Sequence, residues 1–330
     1  MAEFAPPGSL AWSAALLCTA LLIGCGAEET GQATTEDGAA AAIDSAEGAA
    51  DAGPFTARFS FAVIADTHVV SKGKNHDRLV AAVDWINKEA GARDIQLVLV
   101  LGDIAWAQGM SIGLADLAAL QVPWVPIIGD NEIAGGSEVD YEETFAPHYN
   151  KLAGQLDDFV RAPLPVTAAD GSALWLQNMS FNHGGVRFVG LDTAARVKHP
   201  IMSEQGWLHD VPGGTWPWFA AQIGAAKELP DESVVLFSHI PMHTSPGGFD
   251  VEEMAQITAL IGPLGHKVYA HFSGHYHGDL TQEIKAAGYT AFVTDATWDD
   301  EVRVRVVKVS GNDLGFAYEH KLIDVPWDGP

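Results

Sequence analysis

From residue 58 onward the chain alternates unbroken apolar runs with stretches of helical spacing. Arg58–Ala65 carries Phe59, Phe61, Val63 and Ile64 with no interrupting charge, the pattern of a buried strand. Asn75–Ala90 follows with Leu79, Val83 and Ile86 at helical spacing, and Gly91 punctuates its end. Ile95–Leu101 predicts a second buried strand, Leu114–Leu120 a short helix, and Trp124–Ile128 a third strand introduced by Pro123. Farther on, Val186–Leu191, Ser233–Ser238 and Lys267–Ser273 read as strands, and Trp216–Lys227 and Val251–Leu260 as helices. Such alternation argues for an α/β architecture with right-handed crossovers. Ser137–Gly171 lacks strong periodicity and is expected to be an insertion of loops and short helices. Near the C-terminus, Val302, Val304 and Val306 alternate with Arg303, Arg305 and Val307, which suggests antiparallel strands. With no repeat and no linker inside 58–330, that stretch is read as one domain.

The N-terminal segment differs in kind. Leu10–Gly24 is a nearly unbroken apolar run, too short to span a bilayer comfortably but of signal-peptide length. It ends Leu22-Ile23-Gly24-Cys25, which resembles a bacterial lipobox, although Glu3 is the only charge where a basic segment is usual. The expectation is a signal segment over 1–25 and an exported envelope lipoprotein, held at the membrane only through a lipid on Cys25. Residues 26–57 are rich in Ala, Gly and Glu and read as a disordered acidic tether.

Charge and cysteine content narrow the function. The net charge is −25, of which eight acidic groups and no Lys or Arg fall in residues 1–57. That balance argues against a nucleic-acid partner held by phosphate contacts. Both cysteines, Cys18 and Cys25, lie in the leader, so any metal in the main body must sit on His, Asp, Glu, Asn or backbone.

Metal-capable residues recur where the predicted strands end. Asp66 and His68 follow the first, Asp103 the second and Asp130 the third; His239 follows Ser233–Ser238, and His275 and His277 follow Lys267–Ser273. Ligands in open α/β sheets bind beyond the carboxyl ends of strands, so these residues are expected to converge. The glycines before Asp103, Asp130 and His275 are expected to allow tight turns. Without a cation, three gathered carboxylates would repel one another; one or two cations reverse that balance. Imidazole with carboxylate suits Zn, Fe or Mn. Seven ligands exceed what one catalytic zinc takes and suit a two-metal site with a bridging carboxylate.

In order, these motifs resemble the calcineurin-like metallophosphoesterases, whose pattern is D-x-H, G-D, G-N-H-[DE], H and G-H-x-H. The resemblance spans about Phe59 to Asp279. It implies two mixed β-sheets flanked by helices, a four-layer αββα sandwich. It also implies that Asp66, His68 and His277 hold one metal and that Asp130, His239 and His275 hold the other. Asp103 would bridge them, and a hydroxide between the metals would attack a small phosphomonoester or phosphodiester.

The third motif departs from that pattern, reading Gly129-Asp130-Asn131-Glu132. Asp130 adds a negative charge where the pattern has a neutral ligand, which points to a trivalent ion such as Fe3+ or to a weaker electrophile. Asn131 stands where the pattern has the His that assists the leaving group, so good leaving groups are expected to be favoured. His243 and His76 are the candidates to replace that acid. Glu132 is expected to support the motif from outside the ligand set. Asn75 reads as a helix N-cap, Trp106 as the tryptophan nearest the pocket, and Ser245-Pro246-Gly247-Gly248 as a mobile pocket wall. The alternatives are a metal-binding pseudoenzyme or a structural envelope lipoprotein with the same fold.

Overall fold

The computed structural model describes residues 53–134, 137–196, 204–229, 233–298, 301–327 and 329. The signal segment, Cys25 and nearly all of the expected tether lie outside the described residues. Among the described residues, no helix is long and apolar enough to cross a membrane.

The first βαβ unit forms where its pattern predicts. Strand β1 (Thr56–Ile64), helix α1 (Lys74–Arg93), strand β2 (Ile95–Leu101), helix α2 (Met110–Leu117) and strand β3 (Trp124–Ile127) follow in turn. Strand β2 is almost wholly buried, because a parallel strand covered on both faces needs a continuous apolar run. A one-turn helix α3 (Asp130–Ile133) precedes α4 (Glu138–Leu152), which is followed by β4 (Asp157–Arg161), β5 (Val166–Thr167), β6 (Ala173–Leu174), β7 (Met179–His183) and β8 (Val186–Leu191). The second half adds α5 (Thr215–Glu228), β9 (Ser233–Ser238), α6 (Val251–Ile261), β10 (Val268–Ser273), β11 (Leu280–Ile284), β12 (Tyr289–Val293), β13 (Arg303–Asn312) and β14 (Gly315–Asp324).

These strands make two mixed sheets, in the orders β14-β13-β1-β2-β3 and β11-β12-β10-β9-β8-β7-β4. Phe61 on β1 meets Phe188 on β8 and Phe272 on β10 edge-on, at 5.4 and 5.5 Å between ring centroids, so the sheets pack face to face. On the other face of the second sheet, Val189 and Leu236 pack with Phe219 and Ile223 of α5 and Ile257 and Ile261 of α6. The expected arrangement of two mixed sheets flanked by helices holds.

One expectation needs correction. The middle segment is not only loops and short helices, since α4 runs for 15 residues. Tyr141, Phe145, Tyr149 and Leu152 form its buried stripe, and the Tyr149 hydroxyl donates to the Pro126 carbonyl on β3 at 3.0 Å. Near the C-terminus, β13 pairs antiparallel with β14 and with β1, as the alternation suggests, and β12 joins β10 in parallel. Arg305 on β13 is only 1% exposed. Its guanidinium donates to Asp279, to Thr294 Oγ1 at 3.1 Å and to the Val293 carbonyl at 3.0 Å, which satisfies a buried cation.

Candidate metal centre

Parallel pairing brings the ends of β1, β2 and β3 together in one sheet and those of β9 and β10 together in the other. The seven side chains predicted from strand ends fall into three overlapping groups: Asp66 with His68 and His277, Asp130 with His239 and His275, and Asp66 with Asp103 and His239. Within each group the donor atoms lie within 4.8 Å of one another.

In the first group, His68 Nε2 and His277 Nε2 stand 3.1 Å apart, and Asp66 Oδ1 is 3.9 Å from the former and 3.5 Å from the latter. In the second, Asp130 Oδ1 is 2.9 Å from His239 Nε2 and 3.1 Å from His275 Nδ1. Asp103 divides its oxygens between them, with Oδ2 3.6 Å from His68 Nε2 and Oδ1 3.3 Å from His239 Nε2.

This donor set fits metal ions. Donors about 2 Å from a shared cation stand roughly 3–4 Å from each other, the spacing found here. The three carboxylates are all but inaccessible, with Asp66 at 0%, Asp103 at 3% and Asp130 at 4% exposure. Burial pushes the Asp103 carboxyl well above its ordinary value; nearby His239 opposes this, while Asp130, Glu132 and Asp66 add to it. For Asp130, burial pushes upward too, but hydrogen bonds from His239 and His275 outweigh it and hold the carboxyl well below the usual range. Burial pushes His68 down to about 4. His239 Nδ1 donates to the Leu101 carbonyl at 2.8 Å, which leaves Nε2 facing Asp103 and Asp130. That nitrogen either carries a proton held by the two carboxylates or offers its lone pair to a cation.

The backbone carries strain at the same positions. Asp66, His68, Asp103, His275 and His277 all have positive φ, between 43° and 76°. Left-handed conformations cost a non-glycine residue about 1 kcal/mol or more and persist where the surroundings over-determine them. The glycines beside them serve two purposes. Gly102 has φ +76°, as a turn requires. Gly129 and Gly274 do not have positive φ; a Cβ there would lie 2.2 Å from Asp103 Oδ1 and 2.3 Å from Asp66 Oδ2. At those two positions close approach, rather than a left-handed turn, excludes a side chain.

Around the ligands, Glu132 is fully buried and accepts backbone N–H bonds from Gly129 at 2.7 Å, Ala105 at 2.9 Å and Asp103 at 3.1 Å. Asn131 is turned to the ligands: its N–H donates to Asp103 Oδ1 at 3.0 Å and its amide lies 2.8 Å from His68 Nδ1. If Nε2 of His68 faces a metal, Nδ1 carries the proton and the amide oxygen must be the acceptor. Asn75 does not cap α1; its amide donates to the His68 carbonyl at 2.9 Å.

His243 lies outside the three groups. Its ring is 1% exposed and packs on Tyr276, and neither ring nitrogen has a hydrogen-bond partner among the described residues. Among the described ring contacts its imidazole meets Tyr276 and none of the donor histidines. His76 places Nδ1 2.6 Å from Asp116 Oδ2. The Ser245–Gly248 loop, expected to be mobile, is tied to Tyr276, whose hydroxyl donates to the Pro246 carbonyl at 2.9 Å. A tryptophan outside the motifs, Trp298, stands at the site, its ring against His68 and His277. Trp298 lies on a segment where Ala296 pairs with Ala65 and the Thr297 N–H donates to the Ala65 carbonyl at 3.0 Å.

Below His239, His271 is fully buried and neutral. Its Nδ1 accepts from Met242 N–H at 3.4 Å, and Nε2 meets the Ser238 hydroxyl, which itself donates to the Ile240 carbonyl. Burial pushes His271 from 6.5 down to about 3. Between those values the unfolded chain binds a proton that the folded chain does not. The contribution is therefore complete above pH 6.5 and is lost as pH falls toward 3. The expected slope is about 1.4 kcal/mol per pH unit from this group. Denaturant melts between pH 6 and about 4.5 should show His271→Asn flattening that dependence; an unchanged slope would remove His271 as its source.

The calcineurin-like phosphoesterase family profile matches residues 59–279, and the chain belongs to that family. Among solved structures, a candidate 5'-nucleotidase from Staphylococcus aureus superposes with TM-score 0.52 at 14% identity, covering 82% of this chain and 55% of that one. The sulfate thiohydrolase SoxB of Thermus thermophilus gives 0.46 at 12% identity, covering 83% and 57%. The chain thus spans little more than half of either protein, and the first likeness bears on fold alone. Among curated proteins no sequence matches the chain.

Proposed function

We propose that the chain is a phosphoesterase that works with two metal ions, one in each triad, and hydrolyses a small phosphomonoester or phosphodiester. The observation that carries this reading is the division of Asp103, whose two oxygens face different triads. When bound, cations there supply positive charge that polarises a phosphoryl oxygen and lowers the pKa of water. The protein's own part is to hold that charge in place. Asp66, Asp103 and Asp130 offset it, and His239 and His68 are oriented through their outer nitrogens by Leu101 and Asn131.

Asn131 has no proton to give at a useful pKa, and its amide is engaged with His68. Aryl esters should therefore turn over faster than alkyl esters by about 10²-fold or more. The net charge of −25 disfavours polyanionic substrates and fits a small ester. The test is metal content of the purified chain alongside a screen of aryl and alkyl mono- and diesters. Two ions per chain, with hydrolysis abolished by chelation and restored by metal, is the expected result. Ions that raise the melting temperature with no ester hydrolysed would favour a structural or binding role instead.

A further inference from the structure

The two triads have the same donor types but are held differently. In the Asp130 triad, His239 is 1% and His275 10% exposed at the side chain, and both bond directly to Asp130. The Asp66 triad is more open, with His68 at 12% and His277 at 32%. Its histidines meet Trp298, whose ring centroid lies 5.4 Å from each, edge-on at 74° to His68 and 87° to His277. Among the described ring contacts, Trp298 touches neither His239 nor His275. Its indole N–H is buried without a hydrogen-bond partner among the described residues.

We propose that Trp298 is a positioning residue for the Asp66 triad: its ring holds His68 and His277 with their Nε2 atoms converged, and so sets how tightly that triad retains its ion. This rests on the two-metal reading above. Rotation about the terminal side-chain torsion of histidine is broad, so a half-open imidazole keeps its direction only where neighbours confine it. Asn131 confines His68 from the Nδ1 side, and Trp298 is a ring contact shared by His68 and His277. Removing such an outer partner typically weakens metal binding about 10–100-fold. The crossing of the Ala296–Trp298 segment from the end of β12 to the end of β1 delivers the ring to this place.

The test is equilibrium Zn2+ binding to the full chain, read as ions retained per chain against a chelator. The parent should retain two. Trp298→Ala should keep one at parental affinity, which also reports that the variant is folded, and bind the other about 10–100-fold more weakly. Trp298→Phe, which keeps a ring, should restore most of the loss. Added to His68→Ala, which already destroys the Asp66 triad, Trp298→Ala should leave the remaining ion unaffected. A parent with two ions whose Trp298→Ala variant holds both as tightly overturns this inference alone, as does weakening of the remaining ion in the double variant. A parent with fewer than two ions overturns the two-metal reading and the inference with it.

Discussion

Asp103→Asn is expected to reduce kcat/KM for an aryl phosphate ester by about three orders of magnitude or more, corresponding to roughly 4 kcal/mol of transition-state stabilisation. The change is one atom, but that atom sits between the two triads. A carboxylate can turn one oxygen to each side, as Asp103 does toward His68 and His239. An amide has one oxygen and two N–H donors, so one triad would face a donor where it needs an acceptor. Ions retained per chain should fall from two toward one. The effect on stability should change sign with metal. In the metal-stripped chain burial disfavours the Asp103 charge, and Asp130, Glu132 and Asp66 add to this against the opposing pull of His239. Neutralising it should raise the melting temperature of stripped protein and lower that of loaded protein. Melts of both forms decide the matter, and a shift of the same sign in each would show that Asp103 does not act through cations.

The candidate ligand set was legible because its residues follow the parallel strands, whose apolar runs are strong signals. Asp66, Asp103, Asp130, His239 and His275 each fall within three residues of a strand end that periodicity alone locates. Helix α4 was harder to see. Tyr141, Phe145, Tyr149 and Leu152 do repeat at helical spacing, but Glu138, Asp140, Glu142, Glu143 and Pro147 dilute the pattern. Trp298 and Arg305 carry no local signal at all. The tryptophan reaches the site through a segment that leaves one sheet and pairs with the other, and the arginine is buried because Asp279, far away in sequence, meets its guanidinium. Periodicity reports which face of an element is covered, not which distant residue covers it. The partner of Asn131 was hidden for the same reason: one motif places it beside Asp130, but only the pairing of β1, β2 and β3 brings it to His68.

Glu132→Ala is expected to be the most destabilising single change near the site, by about 4 kcal/mol. Glu132 has no solvent exposure, and its carboxylate accepts from Gly129, Ala105 and Asp103, backbone donors in the turns that follow β2 and β3. Alanine would leave all three without that acceptor, at about 1–3 kcal/mol for each donor left buried. The full sum is not expected, because the carboxylate is itself costly to bury: burial pushes its pKa up to about 7 even though the Ala105 and Gly129 N–H bonds pull it down. The loss should also reach the metals. The same turns hold Asp103 at positive φ and bring Gly129 against it, so slackening them should loosen the shared carboxylate and weaken ion retention about 10–100-fold. Glu132→Gln keeps one acceptor oxygen and should fall between. Denaturant melts against Glu283→Ala, a change at an exposed side chain, provide the check. If Glu132→Ala unfolds at the same midpoint as that control, the three bonds do not hold the turns, and the geometry of Asp103 must be maintained by the strands alone.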